Sequence, residues 1–152
     1  MSEMPRAEFS QPMQVFVFQL GDEEFAINVT QVREVHMPME IFPVPGAPEF
    51  ILGVINLRGR AVPVLDLKQR LGVSGYEAAN PHRMVVAEAE EIEIVIPIDS
   101  CGEVIDVKPD AIQPPPANLP ETLQAYITGM IEIDGRLLRL IQLRRELVDI
   151  ES

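Results

Sequence analysis

The sequence predicts an all-β chain made of two copies of a small barrel-forming unit. Short runs of apolar and β-branched residues recur along its length, separated by glycine, proline and acidic turn signals, which is the pattern of a barrel rather than of a helical bundle. The stretch from Phe50 to Leu71 recurs without a gap 76 residues later, from Tyr126 to Leu147. Hydrophobic residues make up 47% of the 152 residues and charged residues 24%, a globular balance, while aromatics are only 5% and Trp is absent, so the core must be aliphatic.

Residues 1–12 are polar, hold two prolines and read as a loose tail. Val15 to Leu20 reads as a strand, Gly21-Asp22-Glu23 turns it, and Glu24 to Val29 returns with Phe25, Ile27 and Val29 alternating against Glu24 and Asn28. Val29, Val32 and Val35 are three apart, which allows a helical turn before a strand near Arg33 to Met37. Residues 38–48 carry prolines at 38, 43, 45 and 48 and form a connector, because proline lacks the donor a central strand needs.

Val54 to Leu57 and Ala61 to Leu65 then form a hairpin around Arg58-Gly59, with Gly59 suited to the positive φ of a type I′ turn. Asp66 reads as the N-cap of a short helix over Leu67–Leu71. Residues 72–81 are a loop by composition.

The second half repeats this order. Met84 to Ala87 is a strand, Glu88 to Glu91 a turn, and Ile92, Ile94 and Ile96 alternate with Glu93 and Val95 as a further strand. Glu103-Val104 stands where Glu34-Val35 stands, 69 residues earlier, and Asp106 to Lys108 extends from it. Residues 109–120 hold five prolines, the second hairpin follows, and Leu143 to Ile150 closes as a helical piece. The expected organisation is one domain over 13–147 built from two intertwined subdomains, about 15–80 and 81–147, with a tail at 148–152.

Charge and motif inventory exclude several classes of function. With 12 basic and 24 acidic residues the net charge is −12, which repels phosphate backbones and anionic lipid, so neither nucleic acid nor membrane insertion is expected. No run approaches the length of a membrane span, and the first residues lack the apolar core of a secretory signal. His36 and His82 have no neighbour at metal-ligand spacing, and no phosphate loop or nucleophile elbow is present, so no cofactor or metal is expected. The single cysteine, Cys101, has neither base nor cation beside it to activate the thiol and reads as inert.

Binding is left, and Arg58 is its first candidate. The second hairpin turns on Asp134-Gly135, a better type I′ pair than Arg58-Gly59. One copy keeps the local rule and the other breaks it, so Arg58 serves something other than its turn. Glu34, Val29 and Val32 are the other candidates, with core packing the simpler role for at least one valine.

These residues resemble the CheW family of chemotaxis adaptors. The resemblance rests on Val-Phe-Gln-Leu-Gly-Asp-Glu-Glu-Phe-Ala-Ile (17–27), Val-x-Glu-Val (32–35), Ala47-Pro48 and, above all, Gly-Val-Ile-Asn-Leu-Arg-Gly-Arg-Ala-Val-Pro-Val-Leu-Asp-Leu (53–67), and it covers about Val15 to Leu147. It implies two tandem SH3-like five-stranded β-barrel subdomains with short helical segments and no catalysis. It also implies a cytoplasmic location, with recruitment to receptor arrays at the membrane. The implied partners are the regulatory domain of a CheA-type histidine kinase and the cytoplasmic tip of methyl-accepting chemotaxis receptors. It places Arg58, with Leu57 and Gly59 around it, and Glu34, with Val32 and Val29 before it, at partner contacts. Gln142, where relatives often carry Asp, and the run around Cys101 depart from the pattern. Two other functions fit the same residues: an adaptor of a pilus or gliding motility pathway, and a tandem-barrel carrier holding a small molecule in an aliphatic cavity between the barrels.

Overall fold

The computed structural model describes residues 12–72, 82–100 and 102–148. The expected tail, the loop at 73–81, Cys101 and residues 149–152 lie outside the described residues. Eleven strands are described: β1 (Met13–Leu20), β2 (Glu23–Asn28), β3 (Val32–His36), β4 (Ile51–Leu57), β5 (Arg60–Leu65), β6 (Arg83–Ala89), β7 (Ile92–Ile98), β8 (Glu103–Val107), β9 (Ile112–Gln113), β10 (Ile127–Ile133) and β11 (Arg136–Ile141). Two short helices, α1 (Leu67–Leu71) and α2 (Glu121–Gln124), and three 3₁₀ turns join them. The anticipated helical turn after β2 is the 3₁₀ turn Val29–Gln31, capped by Asn28, whose Oδ1 accepts the Thr30 N–H at 2.9 Å. The expected helical piece at the end is shorter than predicted within the described chain, a 3₁₀ turn at Arg145–Val148. Asp66 caps α1 as expected, its Oδ1 accepting the Gln69 N–H at 3.2 Å.

The strands form two sheets, ordered β3-β6-β7-β5-β4 and β8-β1-β2-β11-β10-β9. The fold is all-β with two SH3-like units, but the units do not divide at residue 80. Each half gives its opening hairpin to the other half's sheet: β6–β7 sits between β3 and β5, and β1–β2 sits between β8 and β11. Burial explains the exchange. Both opening hairpins are apolar on two faces. Val85, Ala87, Ile94 and Ile96 turn into the core shared by the two units, and Met84, Val86 and Val95 into the interior of one unit. On the other side Phe16, Phe18, Phe25 and Ile27 join the shared core, while Val15, Val17 and Ala26 fill the second unit. Such a strand needs neighbours on both edges and cover on both faces, and only an inner place in the partner half's sheet supplies them.

Gly53 shows why the repeat keeps its glycines. The proline-rich connector lies across β4, with Phe42 exchanging backbone bonds with Val54 at 2.8 and 2.9 Å. A Cβ on Gly53, whose φ is +147°, would stand 2.3 Å from the Phe42 carbonyl oxygen. Gly129, 76 residues on, is crowded in the same way by Ile112 and Gln113 of β9. Gly53→Ala is therefore expected to destabilise the chain by about 1–3 kcal/mol from backbone strain alone, before the connector shifts. Urea unfolding of that variant beside Gly46→Ala, whose site is open, separates steric crowding from the cost of a positive φ.

Candidate functional site

The site is built from β3 and the turn between β4 and β5, which stand at the two edges of one sheet. Arg58 and Gly59 take φ of 53° and 84°, and Asp134 and Gly135 take 51° and 78° in the second hairpin, so both turns have the type I′ form that the spacing predicts. The Gly59 N–H is held by Asn56 Oδ1 at 2.9 Å. From this turn the Arg58 guanidinium reaches across to β3, where its Nη1 meets Glu34 Oε2 at 2.8 Å. The other oxygen of Glu34 pairs with His36 Nε2, one turn of the pleat further along β3. Arg58 remains largely exposed at 61%, Glu34 at 30%.

The Arg58 hydrogen bond, then that of His36, holds the Glu34 carboxyl well below the usual carboxylate range, at about 2. Glu34 in turn raises the Arg58 pKa further. A depressed carboxylate pKa favours the folded chain above the ordinary value of 4.5, and that contribution is lost as pH falls toward 2. NMR titration of the side-chain carboxyls should find Glu34 ionised at pH 4, where an ordinary glutamate is more than half protonated. A Glu34 midpoint at the ordinary value would show that the pair does not form.

The sequence-derived candidates separate on this geometry. Arg58, Gly59 and Glu34 come together. Leu57 does not join them at the surface: it is 4% exposed and packs with Ile55, Val62 and Val64 inside the unit. Strand alternation explains this, since the residue before the turn points inward where Arg58 is displayed. Val32 is half-buried against the shared core, and Val29 is half-buried in the 3₁₀ turn between the sheets. Val32 opens β3 and Val29 precedes it, and neither bonds to the ion pair.

His36 is the neighbour that a motif search for metal ligands passes over; the period of two along β3, which puts residues 34 and 36 on one face, is the signal that finds it. The same strand and the connector after it also expose apolar side chains: Val35 at 44%, which alternates to the other face of β3 from Glu34, Met37 at 64%, Phe42 at 48% and Val44 at 44%. Arg60, beside the turn, pairs with Glu93 of β7, and Arg33 with Glu88 of β6 at 2.5 Å. The second unit holds the equivalent acids differently. Arg136, which matches Arg60, binds Glu24 at 2.9 Å and Glu103 at 2.8 Å, so Glu103, the counterpart of Glu34, is served without an arginine at the turn.

The described grooves are open to the surface, while the aliphatic residues between the sheets pack into one buried cluster, so no cavity of the carrier type is seen among the described residues. No described helix is long and apolar enough to cross a membrane.

The chain is thus a tandem pair of SH3-like units with an exposed acid–arginine pair at a hairpin tip, and comparison with known proteins gives its family. Residues 14–151 match the CheW-like domain, and the chain belongs to that family. It is similar to the chemotaxis protein CheW of Rhizobium meliloti, 32% identical over 86% of this chain and 84% of that protein. It is similar also to CheW of Bacillus subtilis, 33% identical over 89% and 86%. The crystal structure of the scaffolding protein TtCheW from Thermoanaerobacter tengcongensis superposes with a TM-score of 0.81 at 31% identity, over 92% of this chain and 90% of that one. The role that follows for this chain is that of a CheW-type chemotaxis adaptor.

Proposed function

We propose that the chain couples methyl-accepting chemotaxis receptors to a CheA-type histidine kinase in the cytoplasm, without catalysis of its own, and that Glu34, Arg58 and Gly59 form part of its partner contact. The observation that carries this is the Glu34–Arg58 pair, a charged link at a barrel edge that is exposed on the arginine side, on a unit that also exposes Val35, Met37 and Phe42. Exposed apolar side chains with charged groups at their rim are the usual anatomy of a docking surface. The guanidinium keeps free donors for a partner's carboxylate or carbonyl groups, which Lys could not present in the same planar array. Val32 at the start of β3, and Val29 in the turn before it, extend the contact toward the junction of the two sheets.

The test is reconstitution. Kinase activity is measured with receptor cytoplasmic fragments, with and without this chain. Receptor control of the kinase that appears only when the chain is added supports the reading; turnover of a small substrate by the chain alone overturns it.

A further inference from the structure

The two hairpins that repeat in sequence are fastened to the fold unequally, and the looser one carries Arg58. Val54 of β4 exchanges both of its backbone bonds with Phe42, so Pro63, which lies opposite it on β5, has its backbone groups facing β7. Proline has no N–H to donate there. The parallel ladder between β5 and β7 is accordingly a single residue pair, Val64 with Val95. In the second unit Arg139 stands at the place of Pro63, and the ladder between β11 and β2 runs through it for three pairs, Leu138 to Leu140.

Side chains widen the difference. β11 is also tied to β2 and β8 by Arg136, with two bonds to Glu24 at 2.9 and 3.0 Å and one to Glu103 at 2.8 Å, and Arg139 adds Glu23 at 3.4 Å. Arg60–Glu93 and the exposed Arg58–Glu34 pair do this for β4–β5. A surface groove of about 560 Å³, lined by Arg33, Arg60, Glu88, Glu91 and Glu93, lies over the part of the seam where the ladder is missing.

We propose that the β4–β5 hairpin is a hinged flap, freed along β7 by Pro63 and latched to β3 by the Glu34–Arg58 pair, so that its tip adjusts its position when a partner engages Arg58. The consequence for docking rests on the function proposed above; the flap itself does not, and it is tested on the chain alone.

Opening breaks the bonds that cross the seam, in which the Val95 and Leu65 amides face the opposite strand. Their counterparts in the second unit are Ala26 and Ile141. Amide exchange followed by NMR on the intact chain should show Val95 and Leu65 exchanging roughly tenfold faster than Ala26 and Ile141, as local opening below the global barrier does. Glu34→Gln should speed Val95 and Leu65 by a further factor of about three or more and leave the second unit unchanged. Pro63→Val, which restores the missing donor, should slow them. Equal protection of the two seams in the wild-type chain overturns the flap. A Glu34→Gln effect spread evenly over both units overturns the latch, because it would report global destabilisation instead. Failure of receptor coupling in the reconstituted system leaves these exchange rates as they are.

Discussion

Replacing Arg58 with glutamate is expected to weaken partner coupling by on the order of 30-fold or more while the chain stays folded. Removing one member of a charged contact that becomes desolvated in an interface has a large effect on affinity, and reversing its sign adds repulsion to the loss. The fold has shown that it accepts an acid at this turn, because Asp134 occupies the same place in the second hairpin with nearly the same φ, 51° against 53°. The structure adds one consequence that the turn alone does not predict: a glutamate at 58 would face Glu34, so the latch would open as the partner contact is lost. The measurement is receptor and kinase binding beside a thermal melt, with Arg83→Glu as control. Arg83 stands on β6, three residues before Val86, the strand partner of Glu34, and donates to the His82 carbonyl rather than to the Glu34 carboxylate. One charge reversal against a net −12 changes the overall field little, so the control should bind as the wild type does. Equal loss in both variants would remove Arg58 from the contact.

Much of this architecture was legible because the chain carries its own internal control. The 76-residue repeat predicted both hairpins and both turn types, and the conflict between Arg58 and Asp134 at one turn position made Arg58 the first binding candidate. Pairing between the halves was not legible. The alternation in Ile92, Ile94 and Ile96 identifies a strand but not the strand it joins, and the exchange of opening hairpins depends on pairings between residues as distant in sequence as Val35 and Val85, Val15 and Ile105, or Glu24 and Leu138, which local pattern does not encode. Leu57 shares a motif with Arg58, but one step along a strand reverses the direction of a side chain, and Leu57 faces the core. Pro63 sat in plain view within Val-Pro-Val, yet its effect needed the register against Val54, which only the structure supplies.

The exchange of hairpins also makes a prediction about cooperativity. Phe25 on β2 is 1% exposed, lies 6.1 Å from the Phe18 ring, and belongs to the buried cluster that draws on β1, β2, β5, β6, β7, β10 and β11 together. Phe25→Ala should cost about 3–5 kcal/mol, the lost transfer energy plus the void left behind. That is a large part of the roughly 5–15 kcal/mol that holds a domain together, and in a chain of this size it corresponds to a fall in Tm of roughly 6–20 °C. If the units were independent, the damage would stay with the sheet that contains β2. Each sheet, however, has a hairpin from the other half at its centre, and the shared cluster lies between them, so both should melt as one. The methyl signals of Ile131, inside one unit, and Ile55, inside the other, provide separate probes. In Phe25→Ala the two should disappear over the same temperature range, as two-state unfolding requires. Loss of Ile131 with Ile55 still native would show that the units fold separately in spite of their exchanged strands.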